Sequence, residues 1–286
     1  MSGTRKIAHV VNPFIPPITS DLVVAQPVCF QSMRNARKFT EMLSTNVEIE
    51  QYAVIYPEDE EVIPEGFTRT EDLDRSVLDL GKFNIERRLP LFRDIIDRLY
   101  EASDADYFIQ TNADISLMPQ FYLVVNRLID IGHESFCINK RLIPDSYNDV
   151  DELPFMYSEI GDSHQGLDCF VFPRSVYPKI KMGNVCMGTP WSEATLATGL
   201  ALYTKNFTVF KTLHLTFHIG DSRIWKPANF RDYRLHNLTE YCKVLKLLKK
   251  KHVTLLKNEI VKYFLVKIRQ EAETGVHPPE CFKFIK

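Results

Sequence analysis

Three stretches of this sequence place chemically active side chains where the chain would have to turn. The run Gln110-Thr111-Asn112-Ala113-Asp114-Ile115 follows the apolar stretch Tyr107-Phe108-Ile109. If that stretch is a buried strand, residues 112 and 114 project the same way beyond its end while Ala113 points inward, because side chains alternate along extended backbone. An Asp in that place can hold Mg²⁺ or Mn²⁺ together with phosphate oxygens, since hard cations take oxygen ligands. Asn112 can add a neutral amide oxygen or bond a ribose hydroxyl. The competing reading is an Asp that caps a helix starting a few residues later.

The second stretch is Leu213-His214-Leu215-Thr216-Phe217-His218-Ile219-Gly220-Asp221-Ser222-Arg223-Ile224-Trp225. It alternates up to His218 and then turns at Gly220. His218 is a candidate second metal ligand from a distant part of the chain, and Asp221, Arg223 and Trp225 are candidates for contact with phosphate or acceptor. A histidine in a purely structural hydrogen bond is the alternative. In the third stretch, Ser163-His164-Gln165-Gly166-Leu167-Asp168-Cys169, a carboxylate immediately precedes an apolar strand. Asp168 could deprotonate an acceptor hydroxyl, or be a turn residue beside Gly166. Glu193 in Trp191-Ser192-Glu193 is the competing base, and equally a charge partner for a helix N-terminus.

The elements that must carry these residues are legible in part. Ile7 to Val11 reads as a buried strand closed by Asn12-Pro13, Val28 to Leu43 as an amphipathic helix, and Glu48 to Tyr56 as a second strand. A β-α-β start of this kind predicts an α/β fold with a mostly parallel sheet flanked by helices. Residues 57–79 turn acidic and proline-bearing, which predicts a long surface excursion. A helix over Leu89 to Ala102, with Leu91, Phe92, Ile95, Ile96 and Leu99 on one stripe, leads into the strand before Asp114. A helix over Phe121 to Ile131 and strands over Ser135 to Asn139 and Cys169 to Phe172 follow. Pro190 is expected near the start of a helix running to Tyr203. Late strands are expected over Phe207 to Phe210 and Leu213 to Phe217, and a lysine-rich helix over Leu238 to Gln270. The expected organisation is one domain over 1–237 with a helical extension over 238–286 packed on it.

Composition narrows the class. The 286 residues are 45 % hydrophobic and 25 % charged with a formal net charge of −2, ordinary for a globular chain. The N-terminal segment lacks the long apolar core of a signal peptide, and no run is long and apolar enough to span a bilayer. A cytoplasmic protein is expected; the basic segment Lys243 to Arg269 reads as a solvated helix face, with a surface for a membrane or an anionic acceptor as the alternative. The six cysteines show no C-x-x-C pair and are expected to be reduced and mostly buried. Neither G-x-x-x-x-G-K-[ST], nor G-x-G-x-x-G after the first strand, nor G-x-S-x-G, nor H-E-x-x-H occurs, which counts against nucleotide hydrolysis, dinucleotide redox chemistry, serine hydrolysis and zinc proteolysis. With 11 glycines in the chain, a phosphate-handling site would have to lean on a cation.

Taken in order, the β-α-β start, the helix and strand leading to Asn112-Ala113-Asp114, the Asp168 segment and the strand ending at His218 resemble the GT-A glycosyltransferases, which transfer a sugar from a nucleoside-diphosphate donor to a hydroxyl acceptor. The resemblance covers about residues 6–225, and Asn112 departs from the acidic first position of the family's D-x-D turn. It implies that Asp114 and His218 hold Mn²⁺ or Mg²⁺, and that Val11, Asn12, Asn112 and Asp114 contact the donor. It also implies that Arg87 or Arg88 meets its phosphates and that Asp168 or Glu193 is the acceptor-side carboxylate. The acceptor could be a glycan, a lipid-linked glycan or nucleic acid. A non-catalytic nucleotide-sugar or carbohydrate binder of the same fold and a sugar-phosphate nucleotidyltransferase are the alternative functions.

Overall fold

The computed structural model describes residues 3–221 and 230–273. Along the chain run β1 (Arg5–Val11), α1 (Leu22–Leu43), β2 (Val47–Ala53), β3 (Thr68–Arg69), α2 (Phe92–Ala102), β4 (Tyr107–Thr111), β5 (Ser116–Leu117), α3 (Phe121–Asp130), β6 (Ser135–Ile138) and β7 (Arg141–Ile143). They are followed by the single-turn α4 (Leu153–Met156), β8 (Asp162–Ser163), β9 (Cys169–Pro173), α5 (Ser192–Tyr203), β10 (Phe207–Phe210), β11 (Thr216–Ile219), α6 (Arg231–Lys251) and α7 (Glu259–Glu273). Among the described residues these elements form two compact units, interleaved along the chain: 3–73, 97–175 and 206–221 in one, 74–96, 176–205 and 230–273 in the other.

The first unit carries a seven-stranded sheet of order β10-β6-β9-β4-β1-β2-β3. The pairs β1/β2, β1/β4, β2/β3 and β6/β10 are parallel, as the β-α-β start predicts. β9 runs antiparallel to both β4 and β6, so the start of β9 lies between the carboxyl ends of these two interior strands. Alternation sorts the two faces. Ile7, Val11, Ile109, Phe136, Ile138, Cys169 and Val171 face Cys29 and Met33 of α1 and Phe121, Tyr122 and Val125 of α3 in one buried cluster. On the other face Phe108 packs edge-on against Phe172 and against Tyr100 of α2.

Several elements differ from the expectations. α1 starts six residues earlier than Val28 and contains Pro27; the buried residues Ala25, Gln26, Val28 and Cys29 anchor this turn, so packing outweighs the local preference of proline. The excursion over 57–79 is partly inside: Asp59, Leu73 and Val77 are buried, and β3 extends the sheet edge. A second, four-stranded sheet, β5-β11-β7-β8, was not foreseen. Three of its strands have only two or three residues, too few to show a period.

In the second unit, Phe83 stacks on Tyr233 at 4.1 Å between ring centres. The pair joins a cluster with Val77, Leu91, Cys186 and Phe230. α5 starts at Ser192, just after Pro190. Trp191 precedes it in the left-handed region, with φ 76°. The basic C-terminal run is two helices rather than one, separated by a turn around Leu255–Lys257. The five described cysteines are buried.

Candidate functional site

The functional side chains of the first unit gather where β4 and β6 end and β9 begins. β4 is antiparallel to β9 through the pair Thr111–Cys169, and β6 through Ile138–Cys169. One step further along each ladder stand Asn112, Asp168 and Asn139, with Asp114 and Lys140 just beyond. Asn112 is exposed and Ala113 buried, as the alternation predicts. No helix starts at Asp114. Its backbone turns into β5, so the capping alternative is not what the fold shows.

β11 pairs with β5 through Phe217–Ser116 and Thr216–Leu117, which carries His218 to the turn at Asp114. His218 Nε2 lies 3.1 Å from Asp114 Oδ2, and His218 Nδ1 lies 2.9 Å from the Gly220 carbonyl oxygen. That carbonyl can only accept, so Nδ1 carries a proton and donates to it. A neutral ring would then turn the lone pair of Nε2 toward a carboxylate. The contact is favourable only if a proton or a cation shares it. Burial alone would raise the Asp114 carboxyl, but the hydrogen bond from His218 and the charges of His218 and Lys140 outweigh it and hold the group at about 2. Its second oxygen, Oδ1, is shielded from solvent and has no hydrogen-bond partner among the described residues. A buried acceptor left in this state is costly.

Asp168 is more enclosed, with 10 % of its side chain exposed. The Lys140 backbone N–H donates to its Oδ2 at 3.2 Å, the Lys140 ammonium stands 3.7 Å from Oδ1, and His164 Nδ1 lies 3.1 Å from Oδ2. Burial works to raise this carboxyl, and the His164 hydrogen bond and Lys140 charge prevail, leaving it below the usual carboxylate range. Lys140 and His164 carried no role in the sequence reading. The one available signal was the position of Asn139-Lys140 at a strand end, matching that of Asn112.

The remaining sequence candidates have other settings. Val11 is buried, and its carbonyl accepts from Val54 N–H. The Asn12 side-chain amide donates to the Val54 carbonyl at 2.6 Å, which ties that N–H group to the end of the sheet. The loop after it is held by Gln26, which bonds both the N–H and the C=O of Phe14, and by Asp59, which accepts from Ile15 N–H. Asp221 is exposed. Arg223 and Trp225 lie outside the described residues. Arg87, Arg88 and Glu193 belong to the second unit. The Arg87 guanidinium covers the Phe230 ring at 4.3 Å, while Arg88 is exposed. Glu193 lines a cavity of about 310 Å³ with Pro190, Trp191, Arg234, Lys267 and Gln270.

Among the described residues no group of three or more His, Cys, Asp or Glu could hold a metal by itself. Asp114 and His218 together offer one carboxylate and one imidazole nitrogen. This donor set suits a divalent cation that completes its shell from substrate and water. Oδ1, without a partner among the described residues, and the Nε2–Oδ2 pair both fit such an ion.

No family model matches the chain, and no curated protein does. Among solved structures it is similar to S. aureus TarS 1-349, with 8 % identity, TM-score 0.48, and 82 % of this chain and 65 % of that chain covered. The chain thus spans less than two thirds of that structure's length. It is also similar to the catalytic domain of Drosophila beta1,4galactosyltransferase 7 in complex with xylobiose, with 11 % identity, TM-score 0.43, and 78 % and 74 % covered. A third is glucosyl-3-phosphoglycerate synthase from Mycobacterium tuberculosis in complex with phosphoglyceric acid, with 11 % identity, TM-score 0.46, and 82 % and 80 % covered. The geometry of the site, rather than these likenesses, supports the functional reading that follows.

Proposed function

We propose that the chain transfers a sugar from a nucleoside-diphosphate donor to a hydroxyl acceptor, with a divalent cation held by Asp114 and His218. The supporting observation is the Asp114–His218 contact itself. Two groups far apart in sequence meet beyond the carboxyl end of β4, where α/β sheets bind ligands, with one carboxylate oxygen buried and, among the described residues, without a hydrogen-bond partner. Breaking an anomeric C–O bond builds negative charge on the departing diphosphate, and a bound Mg²⁺ or Mn²⁺ would supply Lewis-acid stabilisation of that charge. Lys140 adds a fixed positive charge to the same end of the sheet. We assign a donor hydroxyl to Asn112, exposed beside Asp114, and the donor base to the loop after β1. We assign the removal of the acceptor hydroxyl's proton to the Asp168–His164 pair.

The test is a thermal-shift and product-release assay on the full chain with a panel of UDP- and GDP-sugars, with and without Mn²⁺. A true donor near 100 times its Kd stabilises by about 2.7 kcal/mol and releases nucleoside diphosphate slowly. Failure of every nucleotide sugar to bind, or binding indifferent to Asp114→Ala, overturns the reading.

A further inference from the structure

Within the glycosyl-transfer reading, we propose that His164 Nε2 is the atom that takes the proton from the acceptor hydroxyl, and that Asp168 is the positioning residue that aims it. Asp168 is poorly suited to be the base itself. Its Oδ2 is engaged by the Lys140 N–H and by His164 Nδ1, its Oδ1 faces the Lys140 ammonium, and only a tenth of its side chain is exposed. A carboxylate surrounded by donors has little affinity for another proton.

His164 has the complementary properties. Its side chain is 26 % exposed, and among the described residues only Nδ1 of the ring is engaged. Two groups compete for Nδ1: Asp168 Oδ2 at 3.1 Å requires it to carry hydrogen, and Gly166 N–H at 3.0 Å requires it bare. The hydrogen bond to an ionised carboxylate is roughly twice as strong as the neutral one. The proton therefore sits on Nδ1, and Nε2 is left with its lone pair.

The backbone is built around this approach. The Asn139 amide donates to the His164 carbonyl at 3.1 Å, and His164 N–H reaches the Lys140 carbonyl at 3.3 Å, so the loop is tied to the end of β6. At Gly166 a Cβ would come within 2.4 Å of His164 Cε1, 2.6 Å of Nδ1 and 3.0 Å of Asp168 Oδ1. Only glycine leaves room for the imidazole to lie against Asp168.

In the step so assigned, the acceptor O–H bond breaks and its proton passes to Nε2. The oxygen's electron pair forms the new bond to the anomeric carbon, and the anomeric C–O bond to the diphosphate breaks with its pair leaving on the diphosphate. The imidazolium formed is balanced by Asp168. No further reactant is needed.

Two measurements on the full chain test this. Long-range ¹H–¹⁵N correlation of ¹⁵N-histidine protein is expected to show His164 protonated on Nδ1 and bare on Nε2, with the preference lost in Asp168→Asn. A ring bare on Nδ1 overturns the proposal. With water as acceptor and a UDP- or GDP-hexose as probe, His164→Ala is expected to lower the rate of nucleoside diphosphate release by about 10²–10⁴-fold with donor KM unchanged. Added imidazole should restore part of the loss, and the acid limb of the pH–rate profile should disappear. Full turnover in His164→Ala overturns the base role alone. No thermal shift with any nucleotide sugar in the wild type overturns the glycosyl-transfer reading and the base role with it, so the two failures are distinguishable.

Discussion

Asp114 Oδ2 and His218 Nε2 stand 3.1 Å apart although 104 residues separate them. The His218 ring is fixed from behind by the Gly220 carbonyl at 2.9 Å, so its Nε2 cannot turn away. His218→Ala should weaken Mn²⁺-dependent binding of a nucleotide sugar by more than about tenfold, read by calorimetric titration. Removal of the ring also leaves the Asp114 carboxylate without its partner, which should cost about 1–3 kcal/mol of stability in urea unfolding without metal. Metal affinity equal to wild type would remove His218 from the site.

Lys140 stands 3.7 Å from Asp168 and contributes to the low proton affinity of both Asp114 and Asp168. In Lys140→Met the side-chain volume is nearly kept while the charge is lost. The variant should fold with about 1–3 kcal/mol less stability and bind a nucleoside diphosphate more weakly, with a reduced dependence of binding on salt. A salt dependence identical to wild type would show that Lys140 serves Asp168 only.

The space at Gly166 is closed to a methyl group by the His164 ring at 2.4 Å. Gly166→Ala should therefore displace His164 from Asp168 and lose about 1–3 kcal/mol, the usual cost of overpacking. Far-ultraviolet circular dichroism should stay at the wild-type value, since β9 is held by ladders to both β4 and β6. Unchanged stability together with an unchanged His164 tautomer would contradict this.

His9 is wholly buried between the Tyr122 hydroxyl on Nδ1 and the Thr111 hydroxyl on Nε2, each at 2.9 Å. A neutral ring donates from one nitrogen and accepts at the other, and both hydroxyls can play either part. Burial lowers its pKa from 6.5 to about 3. The unfolded chain therefore binds a proton below pH 6.5 that the folded chain refuses. The stability from this group is complete above pH 6.5 and declines as pH falls, by up to about 1.4 kcal/mol per unit. Urea unfolding between pH 6.5 and about 4.5, above most of the carboxylate range, should show this slope in the wild type and a shallower one in His9→Gln.

Helices and strands that show a face in the sequence were readable in it. Ile7 to Val11 and Tyr107 to Gln110 are strands because their apolar runs are short and bounded by turn residues, and Phe121 to Asp130 is a helix because its apolar positions recur at helical spacing. The early start of α1 was hidden by Pro27, whose local preference is overridden by the buried turn around it. The antiparallel sense of β9 and the two- and three-residue strands of the small sheet leave no periodic trace.

What the sequence determined by itself is the inventory: a carboxylate after a buried strand, a histidine at the end of a late one, and a second carboxylate ahead of Cys169. Residue type and alternation suffice for that, because both act within a few bonds. Only the tertiary structure decided which groups meet. The β4–β9–β6 register sets Asp168 beside Lys140 and His164, and the β5–β11 pairing brings His218 to Asp114. Strand order and register come from burying one continuous core, and no segment of the chain carries that information alone.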